Sequence, residues 1–431
     1  MSDPGPAASA AIETVFHEEW GRIVASLIRR TGDWDLAEEC AQDAFAEAAT
    51  RWPREGVPRR PGAWLTTVAG NRALDRLRRR GVEAGKLREV ATMPDTDPVI
   101  DPATGLDDAT ADAVASSGIG DDRLRLIFTC CHPALALDAR VVLTLRTLCG
   151  LTTPRIARAF LLPEATMAQR IVRAKRRIRD AGIPYRVPPA ELLPERTGGV
   201  LAVIYLLYTG GYIPSDGDRP LRDDLSDEAV RLARTMAALM PDEPETLGLL
   251  ALLLLQDARR AARVDSAGDL VPLDEQDRSR WDAARIAEGV ALVDRALRLP
   301  QGPSGTGPYQ IQAAIAACHA TALDAAATDW VEIAGLYAAL ERRTPTPIVR
   351  LNRAIAIGMA DGPNAGLARL AALETEGELA GYHLLPAARA DLLRRAGRLP
   401  AAAEAYRVAL DGAPTEPERR FFQRRLGELG H

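Results

Sequence analysis

Residues that usually carry chemistry are thin in this chain of 431 residues, and each shortage closes off a class of function. The five histidines, His17, His132, His319, His383 and His431, have no metalloprotease spacing and no order that a catalytic triad could use. The five cysteines (Cys40, Cys130, Cys131, Cys149, Cys318) form an odd set without a CxxC pair, which fits reduced thiols. The triplet Cys130-Cys131-His132 invites a metal reading. Vicinal cysteines splay apart, however, and no second ligand pair lies at finger-like spacing. Buried small hydrophobes are the better expectation. A GxSxG elbow is absent, and GPSGTGP (302–308) lacks the lysine of a phosphate-binding loop, so it reads as a turn. Neither a metal, a cofactor nor an enzymatic activity is expected. No apolar run reaches 18 residues, and the opening MSDPGPAASA is neither basic nor followed by an apolar core. Those features argue against a membrane span or signal peptide and for a cytoplasmic protein.

What the chain does have is sorted charge. The total is −5, but the segments 1–50, 51–80, 81–122, 123–194 and 195–431 carry −7, +7, −8, +9 and −6. Two cationic blocks are therefore flanked by acidic ones, and an average pI of about 5.7 says nothing against a nucleic-acid partner. The first block centres on WLTTVAGNRALDRLRRR (64–80), which sets five arginines against one aspartate.

Periodicity predicts helices throughout. Asp33 or Asp35 can cap a helix whose Leu36, Ala37, Cys40, Ala41, Ala44, Phe45 and Ala48 share one face. Glu38, Glu39, Gln42, Asp43 and Glu47 populate the other. RWPREGVPRRPG (51–62) reads as a broken basic loop, followed by a helix with Leu65, Val68, Ala69, Ala73 and Leu77 as its apolar stripe. Periodicity fails over 81–120, where Asp, Pro, Gly, Ser and Ala predict a flexible acidic linker. It returns with DDRLRLIFTCC. Thr153-Pro154 then reads as a cap followed by first-turn proline. A short break leads into EATMAQRIVRAKRRIRD, where Met167, Ile171, Ala174 and Ile178 make a buried stripe and the arginines lie off it. Helix, tight turn and a helix basic on its free face is the helix-turn-helix pattern. Beyond YRVPPAELLPER the chain reads as six to ten further helices. Turn signals at Gly362-Pro363 and Gly397-Arg398 recur at close to the ~34-residue tetratricopeptide period.

In this order, DWDLAEECAQDAF, WLTTVAGNRALDRLRRR, a linker and LTTPRIARAFLLPEATMAQRIVRAKRRIR, the chain resembles a bacterial sigma-70 family factor of the extracytoplasmic-function type. The continuation (IFTCCHPAL, VIYLLYTGGY, LGLLALLLLQDARRAAR, EQDRSRWD, GPYQIQAAIAACHA, LNRAIAI) resembles the subgroup with a long tetratricopeptide-like C-terminal extension. The resemblance implies an all-α fold with sigma region 2 at 10–82, the linker at 83–120, a region 4 helix-turn-helix at 121–186 and a helical repeat domain at 195–431. It implies core RNA polymerase as a partner, through its β′ clamp coiled coil and β flap. Asp35, Glu38, Glu39, Gln42, Asp43 and Glu47 would dock on the clamp. Promoter DNA would meet Trp64, Asn71, Arg72, Arg76, Arg78 and Arg79 at the −10 element. At the −35 element it would meet Glu164, Thr166, Gln169, Arg170, Arg173, Arg176 and Arg177. The repeats would act on the chain's own N-terminal domains or bind an unknown protein or ligand. Two positions depart from the family pattern: Gly70 precedes Asn71, and Thr209-Gly210 stands where relatives often have Asn-Glu. The alternative class is a stand-alone helix-turn-helix regulator, which has no need of an acidic helix before the Trp-bearing basic one.

Overall fold

The computed structural model describes residues 6–90, 119–160, 162–212, 219–265, 268–301 and 305–430. Among them lie eighteen α-helices and no strand, only an isolated bridge between Val264 and Leu270. None of these helices is long and apolar enough to cross a membrane. The chain divides into two compact units, Met1–Val203 and Ile204–His431.

The first unit begins with α1 (Pro6–Thr31), α2 (Trp34–Glu55) and α3 (Pro61–Val90), which pack on one another. Asp33 is the N-cap of α2, its carboxylate accepting from the N–H groups of Asp35 and Leu36. The expected apolar face of α2 is buried in full, and Trp20, Ile23, Val24 and Leu27 of α1 meet it in the core. In α3, Leu65, Ala69 and Ala73 are buried, but Leu77 is exposed. The helix also outlasts the expected boundary near 81 and runs to Val90. Gly81 and Gly85 read as breakers in the sequence, but Glu83, Ala84, Lys86, Leu87 and Arg88 are strong helix formers and keep the turn going. The rest of the expected linker, 91–118, lies outside the described residues.

Next come α4 (Ile119–Cys130), α5 (Leu137–Leu143) with a π-turn continuation (Thr144–Leu148), α6 (Thr153–Ala159), α7 (Glu164–Asp180) and α8 (Leu193–Tyr212). The α6 cap is Thr152 rather than Thr153, and no side chain caps it, so Pro154 falls in the first turn. The α7 stripe is as expected: Met167, Ile171, Ala174 and Ile178 are buried. Gly150 joins the π-turn to α6 with φ +71°, and a Cβ there would lie 2.6 Å from the Phe16 ring of α1. Only glycine satisfies both demands.

The second unit begins within the predicted repeat region (195–431), whose first residues to Val203 belong to the first unit, and it holds the end of α8 and ten more helices. These are α9 (Arg219–Leu239), α10 (Pro244–Asp257), α11 (Ala283–Arg298), α12 (Pro308–Thr321), α13 (Trp330–Arg343), α14 (Pro347–Ala360), α15 (Pro363–Glu376), α16 (Leu384–Arg395), α17 (Leu399–Asp411) and α18 (Glu416–Glu428). Each packs mainly on its neighbours in the chain, and the unbroken apolar run Leu247–Leu255 is buried on every side as α10 meets α9, α11 and α12. Proline in the first turn recurs in α10, α12, α14, α15, α17 and α18, where a missing N–H costs nothing. Glu245 of α10 reaches across to the start of α12, accepting from the N–H groups of Tyr309 (3.2 Å) and Gln310 (3.0 Å).

Candidate functional site

Along α2 the polar face is shared between two sets of partners inside the first unit. Towards α3, Arg72 reaches Glu47 at 2.7 Å and Asp43 at 3.3 Å. Arg76 bridges Glu39 at 2.5 Å and Asp43 at 2.8 Å, and Arg80 pairs with Asp33 at 2.8 Å. The hydrogen bond from Arg72 holds the Glu47 carboxyl below its usual range. Partial burial raises the Asp33 carboxyl, but bonds from the Leu36 N–H and Arg80 outweigh it and leave it lowered. Residues expected to meet two different macromolecules thus neutralise one another across the α2–α3 groove. Asp35, Glu39 and Gln42 stay exposed. Asn71, Arg78 and Arg79 are exposed on α3, and half-buried Trp64 lies edge-on to buried Trp52 (5.7 Å between centroids), with the Arg51 guanidinium over its ring.

Glu38 departs from the sequence-based expectation. Expected on the exposed face, it is 3% exposed. Its carboxylate accepts from the Thr147 hydroxyl at 3.0 Å and from Arg146 Nε at 3.0 Å, and lies 3.0 Å from Lys175 Nζ. Lys175 also reaches Asp35 at 2.7 Å. It is one of two lysines in a chain otherwise dependent on arginine for positive charge. The reason is position on the helix: residue 175 follows Ala174 of the inward stripe, so its ammonium points at α2 rather than outward. Three further contacts tie α1 to later parts of the unit: Trp20 Nε1 donates to the Thr147 carbonyl (3.0 Å), Tyr185 donates to the Ala25 carbonyl (2.9 Å), and Arg29 pairs with buried Asp122 of α4 (2.8 Å). Nothing in the sequence singles out Lys175, Arg146, Thr147 or Asp122. No local pattern marks a residue whose partner is more than 90 positions away.

The outer face of α7 is arranged as expected. Glu164, Gln169, Arg173, Arg176 and Arg177 are exposed, and Thr166 and Arg170 are half-buried. Arg170 lies 3.8 Å from Asp138 and Arg176 lies 3.2 Å from Asp180, surface pairs of small energetic weight. Arg173 and Arg177 make no ion pair among the described residues. A cationic helix face with free guanidinium groups suits a phosphate backbone and the edges of bases in a major groove.

Cys130 and Cys131 are buried and unpaired; burial pushes the Cys131 thiol up to about 11 and raises Cys130 well above its usual range. Such thiols pack as hydrophobes. No cluster of three or more metal-ligating side chains occurs among the described residues.

Comparison with known proteins agrees with this geometry. The family model of sigma-70 region 2 matches residues 16–82, and that of sigma-70 region 4 matches 125–178. A third model, a family of unknown function, matches 196–297. A Rhizobium meliloti protein of uncharacterized function is 42% identical over 409 residues, covering 95% of this chain and 93% of its own. The Mycobacterium tuberculosis protein named "Probable ECF RNA polymerase sigma factor SigI" is 27% identical over 169 residues, 39% of this chain and 54% of its own. No solved structure matches. The chain belongs to the sigma-70 family and is of the extracytoplasmic-function (ECF) type. Its role is that of a sigma factor, a DNA-binding initiation factor that engages core RNA polymerase and promoter DNA.

Proposed function

We propose that this sigma factor docks its α2 carboxylates on the β′ clamp coiled coil, reads the −10 element with α3, and lays α7 in the major groove of the −35 element. The C-terminal helical unit then governs that activity in cis. The observation that carries the reading is the exposed cationic face of α7, with Arg173 and Arg177 free of ion pairs among the described residues, beside an acidic α2 in the same unit. On α2, Asp35, Glu39, Gln42, Asp43 and Glu47 are the docking candidates, and Glu38 would join them only after its partners on α7 and the π-turn let go. On α3, Asn71, Arg78 and Arg79 are exposed and Trp64 is half-buried against Trp52, while Arg72 and Arg76 would exchange their α2 carboxylates for phosphates. The length and buried apolar content of the second unit support a role beyond a passive tail.

The test is transcription in vitro with core polymerase on promoters selected from the source genome. The full chain is expected to direct initiation, and truncation after Val203, the end of the first unit, to change its level several-fold. Loss would mean that the helical unit supports the active form, and gain that it restrains it. Equal transcription by both chains would remove the regulatory reading, and no transcription by either would remove the promoter assignment.

A further inference from the structure

The motifs of the second unit lie outside the two sigma-70 regions, yet they converge. A cavity of ≈ 220 Å³ opens between the end of α8, α10, α12 and α13. Helical spacing sorts the residues of each motif. On α10 and just beyond it, Leu252, Gln256 and Arg259 face the cavity. Their neighbours Asp257 and Arg260 turn away, where buried Asp257 is ion-paired with Arg260 and Arg285. On α12, Gln312, Ile315, Ala316 and His319 share the facing side, at the i, i+3, i+4 and i+7 positions of one stripe. Tyr205 and Tyr337 close the wall.

The second tier holds this wall in place. Arg278 donates at 2.8 Å to the carbonyls of both His319 and Ala322, and its guanidinium lies over the Trp281 ring at 4.5 Å. The DRSRW segment thus fastens the end of α12, while Trp330 abuts the His319 ring edge-on at 5.2 Å. Neither the imidazole of His319 nor the hydroxyl of Tyr337 takes part in a hydrogen bond among the described residues. Burial, then the nearby Arg259 and Arg278, lower the His319 pKa to about 4, so a neutral imidazole sits in a positive local field. Arg259 is the one charged lining residue among the described residues, and Gln256 braces it by accepting a hydrogen bond from its guanidinium. Leu252, Ile315 and Ala316 supply an apolar floor.

We propose that this cavity is a binding site for a small organic carboxylate. The carboxylate would pair with Arg259 and accept hydrogen bonds from the tyrosine hydroxyls and glutamine amides, and its apolar body would lie on Leu252, Ile315 and Ala316. One guanidinium and neutral donors suit a monoanion, and polar groups converging on an apolar floor are the usual make-up of a ligand site. The volume is small. A dry cavity of about 150 Å³ takes up benzene, so a ligand near the size of benzoate fits and a nucleotide does not. Binding by the isolated chain does not depend on how the helical unit affects transcription, so failure here leaves the truncation experiment to decide that question.

Saturation-transfer NMR and calorimetry on the full chain would use benzoate as the probe, with benzamide and phenyl phosphate as comparison arms. Benzoate is expected to bind saturably at one site. Arg259→Gln should weaken it at least about tenfold, the scale of a charge-assisted hydrogen bond. Tyr337→Phe should weaken it a few-fold, with the same circular dichroism and thermal midpoint as the wild-type chain. Benzamide should not bind. Equal binding of benzamide, preference for phenyl phosphate, no binding of any of the three, or benzoate binding indifferent to both substitutions would each overturn the assignment. If Arg259→Gln fails to fold, Tyr337→Phe alone decides, since it removes a single oxygen.

Discussion

Glu38 offers the sharpest perturbation in the first unit, because three donors from a distant part of the chain meet on one buried carboxylate. Replacement by alanine leaves Lys175, itself almost buried, with only Asp35, whose side chain is 67% exposed. Arg146 keeps the Leu151 carbonyl at 3.1 Å but loses its counter-ion. Removing one member of a buried ion pair costs about 3–5 kcal/mol, because the other charge stays desolvated. Glutamine keeps the shape but offers a single acceptor oxygen, so its amide NH2 faces a donor and at least one of the bonds from Arg146, Thr147 and Lys175 is lost along with the charge. A buried charged donor left without an acceptor costs about 1–3 kcal/mol or more, of which part is regained because the amide is cheaper to bury than a carboxylate. Glu38→Gln is therefore expected to cost about 2–3 kcal/mol, and Glu38→Ala, which removes every acceptor and leaves a cavity, about 3–5 kcal/mol. Asp35→Asn, at the exposed end of the same network, should cost less than about 1 kcal/mol.

Hydrogen exchange on the full chain reads these numbers where they act, since protection of α7 amides reports the free energy of opening that part of the unit. The expected order is Ala, then Gln, then Asp35→Asn, with the loss confined to α2, α7 and the π-turn. If Asp35→Asn lowers protection as much as Glu38→Ala, the burial argument is wrong. If Glu38→Ala leaves α7 protection unchanged, the network does not hold these helices together.

Arg173→Ala removes from α7 an exposed guanidinium that has no ion pair among the described residues. Transcription from a −35-dependent promoter should fall about tenfold, the lower range of a guanine contact, with no change in core binding measured by gel filtration. Wild-type transcription would exclude α7 from the groove. Gly366→Ala should destabilise the second unit by about 1–3 kcal/mol in urea unfolding. A Cβ there would stand 2.7 Å from the Gly358 Cα and 2.8 Å from the Ala354 carbonyl oxygen, a clash that outweighs alanine's better helix propensity. Equal or greater stability would refute the close approach of α14 and α15. For His319, the folded pKa of about 4 lies below the ordinary 6.5, so the unfolded chain binds the extra proton. The stability tied to it is fully present above pH 6.5 and is lost as pH falls towards 4, by at most about 3 kcal/mol. His319→Gln should flatten that part of the pH profile; an unchanged slope would assign it to other groups.

Local periodicity alone makes most of the helices legible. The α2 face from Leu36 to Ala48 and the α7 stripe from Met167 to Ile178 are each set by 3.6-residue geometry within one segment, and both are buried as expected. What periodicity misses has one main cause. Lys175 and Glu38 look like solvated charges when each helix is considered alone, and only the packing of α7 against α2, 137 positions apart along the chain, turns them inward. Likewise Gln256, Arg259, Gln312 and His319 sit in separate motifs whose helical spacing gives each a face but not a common destination. The end of α3 differs for another reason: two glycines look decisive as breakers, yet the backbone sums the propensities of all its residues and continues to Val90.

The alternation of charged blocks along the chain has a further consequence for binding. Blocks of −7 and +7 look like two surfaces waiting for two external partners. In the folded unit they satisfy each other first: Arg72, Arg76 and Arg80 lie on the carboxylates of α2, and Lys175 brings the next cationic block onto Glu38 and Asp35. Docking on a basic coiled coil or on phosphates must then be an exchange of ion pairs rather than a first pairing. Exchange adds little net affinity per pair, but it favours partners whose charges are laid out like those they displace. Arg173, Arg177 and Arg179 of α7, which pair with no carboxylate among the described residues, are exempt from that exchange. They are therefore the positions where a salt-dependent contact with DNA should be strongest.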